Sequence, residues 1–95
     1  MNVKKTDQFL AWESELDDIR ARAHVQARIR RLSLGNPGDV RPVGEGVSEM
    51  RIHYGPGYRV YYKRSGLEII ILLVGGTKKT QSEDIALAKE LAREF

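Results

Sequence analysis

The sequence predicts a small α+β domain, with an N-terminal helical hairpin packed on an antiparallel sheet and a C-terminal helix after it. Three observations support this. Apolar residues recur every three or four positions up to Leu34 and again after Ser82. Between Ser48 and Val74 they instead alternate or run together in short segments bounded by glycine. At 95 residues, the chain suits one domain, residues 1–95, and not two.

Val3 to Lys5 is expected as a short opening strand. Thr6 has the chemistry of an N-cap, with Asp7 and Gln8 in the first turn behind it. Phe9, Trp12 and Leu16 then form one apolar helical face. Asp17 and Asp18 break or re-cap the chain. A second helix is expected from about Ile19 to Leu34, burying Ala21, Val25, Ile29 and Leu32 and exposing Arg20, Arg28, Arg30 and Arg31. Gly35 and Asn36 supply a C-terminal cap, and Pro37 stops continuation.

Three strands should follow. In Ser48–Tyr54, Met50 and Ile52 point one way and Glu49, Arg51 and His53 the other. Gly55-Pro56-Gly57 is a turn. In Tyr58–Arg64, Tyr58, Val60 and Tyr62 share one face, and Arg59, Tyr61 and Lys63 the other. Leu67–Val74 is apolar at nearly every position, as in a strand covered on both faces, and Gly75-Gly76 should end it. Ser82 resembles the cap of a last helix, with Glu83 and Asp84 near its positive end and Ile85, Ala88, Ala92 and Phe95 as its inner stripe. If the helices cover one sheet face, the other is left to Arg51, His53, Arg59, Tyr61 and Lys63.

Composition removes several function classes. Without cysteine there is no disulfide, thiolate metal site or cysteine nucleophile. No Asp, Glu and His set has metal-ligand spacing, so neither a metal nor any other cofactor is expected. The longest apolar run, Ile69–Val74, has the length of a strand, not of a membrane span, and MNVKKTDQF lacks the apolar stretch of a secretory signal. The expectation is a soluble cytoplasmic protein without membrane contact. Net charge is +3, and the excess sits in the middle. Residues 41–80 hold seven Lys/Arg against three Asp/Glu, whereas residues 81–95 hold two against four. A local basic excess points to a polyanionic partner or to a solvated surface.

Adjacent antiparallel strands bring facing β-carbons to within about 5 Å, so the cations and tyrosine of the two hairpin strands should converge. RNA can be cut without a metal when its 2′-hydroxyl attacks the neighbouring phosphate. The protein must then align the attack, neutralise the growing charge and manage two protons. Arg59 suits the charge role, because a guanidinium grips phosphate oxygens as a fork. His53 exchanges protons near neutral pH, and Tyr61 can do so with help from its surroundings. Arg51, Lys63, Lys78 and Lys79 are the candidate phosphate-binding residues. The competing reading for Arg59 is an ion pair with Glu49 or Glu68, and for the lysines a solubilising role.

The segment EGVSEMRIHYGPGYRVYYKRSGLEIIILLVGGTKKTQSEDIALAKEL resembles the RelE/ParE toxin superfamily. It is most similar to the branch of addiction-module killer proteins related to HigB toxins and to a group of phage proteins. FLAWESELDDIRARAHVQARIRRLSLGNPGDVRPVGEG fits the same branch, so the resemblance covers nearly the whole chain. It implies the toxin of a type II toxin–antitoxin pair, a ribosome-dependent endoribonuclease that cuts messenger RNA. It also implies a cognate antitoxin from the adjacent gene, often a helix-turn-helix protein. Arg59 matches the strand arginine of the superfamily's Tyr-Arg motif, which is implicated in transition-state stabilisation. Arg51 and His53 lie where related toxins carry basic residues, and Lys78 or Lys79 matches a basic residue after the last strand. RNA-cleaving members also carry a tyrosine near the start of the last helix, where this chain reads Ser82-Glu83-Asp84-Ile85. The alternatives are a ParE-like inhibitor of DNA gyrase and a nucleic-acid-binding module without chemistry.

Overall fold

The computed structural model describes residues 1–95, in the order β1 (Asn2–Lys5), α1 (Asp7–Ser14), α2 (Ile19–Ser33), β2 (Val40–Gly44), β3 (Val47–Ile52), β4 (Tyr58–Ser65), β5 (Ile69–Thr77) and α3 (Gln81–Ala92), with a single 3₁₀ turn at Lys78–Thr80. The five strands form one sheet ordered β1-β5-β4-β3-β2. The fold is α+β, as the sequence predicts.

The helices start where their caps require. Thr6 Oγ1 accepts from the Phe9 N–H at 3.0 Å and donates to the Leu73 carbonyl at 2.6 Å, so one hydroxyl caps α1 and ties it to β5. Asp18 caps α2 through the N–H groups of Arg20 and Ala21. The buried residues of α2 are the expected Ala21, Val25, Ile29 and Leu32. Val25, Ile29 and Leu32, together with Phe9 and Leu16, pack on Met50, Ile52, Val60, Tyr62, Ile70 and Leu72 of the sheet.

Several expectations need correction. The sheet is mixed, because β1 runs parallel to β5, with Val3 opposite Ile70. Strand β2 was not anticipated. It is a short exposed edge strand containing Pro42, and its sequence lacks a strand pattern. Strand β3 ends at Ile52, two residues early, because the chain turns at Tyr54, whose N–H bonds to the Ile52 carbonyl. Helix α3 begins at Gln81 directly after the 3₁₀ turn, so Ser82 is no cap. Its stripe includes Leu91, and Phe95 is exposed.

The main correction concerns the second face of the sheet, which is not open. Ala88, Leu91 and Ala92 of α3 pack there on Val47, Tyr61, Ile71, Leu73 and Val74. The sheet is thus sandwiched.

Gly75-Gly76 does not end β5, which continues to Thr77. A β-carbon on Gly75 would fall 2.0 Å from Trp12 Cε3, and one on Gly76 would fall 1.8 Å from Asp84 Oδ2. The glycines admit α1 on one face and α3 on the other. Their facing is set by a bulge: Tyr61 pairs with Val74 and Tyr62 with Leu72, leaving Leu73 as the extra residue. A bulge of one residue inverts the alternation beyond it. It turns Gly75 towards Trp12 and Gly76 towards Asp84.

Candidate functional site

The polar centre of the structure is Glu49, on β3 between Arg41 of β2 and Tyr61 of β4. It is completely buried. Its Oε1 accepts from Arg41 Nε at 3.0 Å and Arg51 Nε at 3.2 Å. Its Oε2 accepts from the Tyr61 hydroxyl at 3.0 Å and Gln81 Nε2 at 2.7 Å. Burial pushes the carboxyl pKa up, but the hydrogen bonds from Gln81, Tyr61, Arg51 and Arg41 outweigh it and hold the group below the usual carboxylate range. One carboxylate therefore joins three strands and the first turn of α3.

Arg59 lies beside this centre, opposite Arg51 on β3 and Gly76 on β5. It is 8% exposed and forms no ion pair. Glu49, one partner considered for it, is occupied by Arg41 and Arg51 instead. Arg59 Nη1 donates to the Gly57 carbonyl at 2.9 Å, and its buried Nε has no partner. The same carbonyl accepts the Lys78 N–H at 2.8 Å, so the turn, the guanidinium and the base of the lysine are fixed together. Gly57 has φ +78°, and a β-carbon there would stand 3.1 Å from Arg59 Nη1. A glycine at this place lets the arginine fold back on the turn. Lys78 and Lys79 are exposed in the 3₁₀ turn at the same end of the molecule.

Across from Arg59, Asp84 lies over the bare Cα of Gly76 and accepts from Thr80 Oγ1 at 2.5 Å. Burial raises its pKa, against the hydrogen bond from Thr80, and the charge of Glu83 adds to the rise. Arg59, Asp84, Thr80, Gln81 and Lys78 thus surround the junction of the hairpin turn with the start of α3.

The structure separates the remaining sequence candidates. Tyr61 is wholly buried and donates to Glu49, and burial together with that carboxylate raises its phenol pKa. It braces the site and cannot take a proton from a ligand. Lys63 lies at the other end of β4, its ammonium donating to the carbonyls of Ala92 and Phe95 at 3.1 and 3.0 Å, where it caps α3. His53 stands just past β3, largely exposed, with Nε2 2.5 Å from Asp39 Oδ2. Asp39 is held below its usual pKa, first by that hydrogen bond. The backbone carbonyl of Asp39 also accepts the Arg51 N–H, so His53, Asp39 and Arg51 are neighbours.

Arg41, Gln81 and Asp84 were not singled out as site residues from the sequence. The i, i+3 spacing of Gln81 and Asp84 at a helix start was a usable signal. Arg41 had none, because its strand was not legible. His24 is exposed, and its ring stacks on Tyr54 with centroids 4.3 Å apart.

Comparison with known proteins gives a relative but no named function. No protein-family model matches the chain, and no solved structure matches it. A protein of Haemophilus influenzae strain Rd, described as an uncharacterized protein, is 48% identical over 95 residues, spanning 100% of this chain and 96% of that one. At that identity over essentially both full lengths, this chain belongs to the same family as the Haemophilus influenzae protein.

Proposed function

We propose that this protein is a RelE/ParE-type toxin that cuts messenger RNA on the ribosome in the cytoplasm and is silenced by a cognate antitoxin. The observation that carries this reading is Arg59. An arginine 8% exposed, with a buried unpartnered Nε and no ion pair, is an incomplete arrangement. Removing a cation from water is costly unless an anion compensates it. A phosphodiester supplies that anion and matches the fork of donors. Arg51 and Lys78, fixed next to Arg59, extend the positive surface for the rest of the strand.

On this reading Arg59 holds the scissile phosphate and grips it harder as charge grows during attack by the 2′-hydroxyl. His53, exposed and hydrogen-bonded to Asp39, is the group assigned to proton transfer. Tyr61 takes no part beyond bracing Glu49. The resemblance to RNA-cleaving toxins supports the choice of substrate, and the buried, unpaired arginine supports the choice of site.

Arg59→Ala is the test. Loss of a donor of this type costs about 2.7–4 kcal/mol in the transition state, a hundredfold to a thousandfold in rate. The variant should lose growth arrest and ribosome-dependent cleavage of a programmed messenger while remaining folded in a thermal melt. Arg59→Lys should restore only part of the activity. Full cleavage by folded Arg59→Ala would remove the reading.

A further inference from the structure

Glu49 has a geometry that stability alone does not require. An arginine paired with a carboxylate for strength usually presents two nitrogens to it. Here both arginines give Glu49 only Nε, and both give it to the same oxygen. The terminal nitrogens of Arg41 and Arg51 form no hydrogen bond with the protein, and the two side chains are 51% and 29% exposed. The other oxygen of Glu49 is filled by Tyr61 and Gln81, so the carboxylate cannot swing to take more of either arginine. The buried carboxylate thus holds two guanidinium groups by their inner edge and leaves their outer edges free. Arg28 restrains the same strand, donating through Nη1 to the Arg51 carbonyl.

Arg59, on the neighbouring strand, is a further cation, more deeply buried and with its own unpartnered donor. Its β-strand neighbour is Arg51, and Arg41 lies two strands away, about 10 Å across the sheet at the usual strand spacing, and two residues further along it, level with Tyr61. That separation is too wide for one phosphate and suits two along a chain. A stiff duplex carries its phosphates on a convex ridge and cannot press one against a guanidinium buried between β4 and the start of α3. A flexible single strand can.

We propose that Arg41 and Arg51, aimed by Glu49, form a second phosphate subsite beside Arg59, so that the protein binds two successive phosphodiesters of a single-stranded polynucleotide. The inference builds on the RNA-directed reading above and specifies its substrate contacts. Glu49 is a positioning residue, and Arg41 and Arg51 are the binding groups.

The probe is a 2′-O-methyl RNA trinucleotide with two phosphodiesters, which lacks the attacking hydroxyl and is not cut. Its binding is followed by NMR titration in low salt without ribosomes. Arg41→Ala should weaken it about tenfold, as expected for a hydrogen bond to a charged group. Replacing the phosphate that faces Arg41 with an uncharged methylphosphonate should abolish that penalty, and replacing the other phosphate should leave it intact. A penalty unchanged by both replacements, or a wild-type protein that does not bind the trinucleotide, overturns the subsite. Glu49→Gln sharpens the test. Loss of a negative charge would by itself tighten binding of a polyanion, whereas loss of aim should weaken it. Tighter binding by folded Glu49→Gln counts against the proposal, and if that variant fails to fold, the Arg41 cycle decides. Messenger cleavage by the wild type with no effect of Arg41→Ala on the trinucleotide removes the subsite alone. The expected trinucleotide results with no cleavage on ribosomes remove only the toxin reading.

Discussion

Two carboxyl groups at the site are pushed in opposite directions. Glu49 is saturated with donors and ionises more readily than usual, whereas Asp84 ionises less readily because burial dominates. A group whose folded pKa is raised stabilises the fold fully below its ordinary pKa, and that contribution is lost as pH rises through the folded value. Ionised Asp84 therefore opposes folding at neutral pH. Asp84→Asn keeps an acceptor for Thr80 and removes the charge. It should melt at a higher temperature than the wild type at pH 7, with the gap closing as pH falls towards the ordinary aspartate range. A gap independent of pH would show that Asp84 is not desolvated. A carboxyl whose burial disfavours its charge is the kind of group that reactive sites tend to contain. Tyr61 shows the limit of reading residues by alternation. The sequence put it on the correct face but could not show that α3 would bury that face.

At the scale of elements, the double glycine of β5 decides how the layers fit. Gly75→Ala would drive a methyl group into the Trp12 ring, and overpacking of this kind costs about 1–3 kcal/mol. Chemical denaturation should show a loss of that size, and a loss below about 0.5 kcal/mol would mean that Trp12 moves freely. The sequence carried the helices well, since Thr6 and Asp18 are caps with a local mechanism and the α2 stripe has a clear period. It also carried β4 and the facing of its side chains. It did not carry β2, held in place by pairing with β3 and without an apolar pattern of its own. Nor did it carry the bulge at Leu73, which depends on partners at both ends of the chain. The candidate site was half legible. Arg51 and Arg59 were legible from alternation on their strands and Lys78 from the basic loop after the apolar strand. The Glu49 network was not, because it assembles residues from β2, β3, β4 and α3 that no local pattern connects.

At the scale of the whole molecule, charge should control encounter. The net charge of +3 understates the field at the site, where Arg41, Arg51, Arg59, Lys78 and Lys79 lie towards one end of the sheet with Glu49, Asp39, Glu83 and Asp84 near them. For a single strand, each phosphate contact contributes about −0.7 to the slope of log affinity against log salt. If all five cations are engaged, that slope should be about −3.5 for a longer oligonucleotide and become shallower by about 0.7 in Lys79→Ala. A slope near zero would rule out phosphate contacts as the source of affinity. The pairing of β1 with β5 has a different consequence. Asn2–Lys5 can dock only when Ile69–Leu72 is available, more than sixty residues later in the chain. Contacts so distant in sequence make folding slow and all-or-none. A nascent chain still missing β5 has no partner for its first strand and no seat for Thr6. It also lacks Gly76, over which the site closes. A chain still missing β5 therefore cannot assemble the pocket of cations around Arg59.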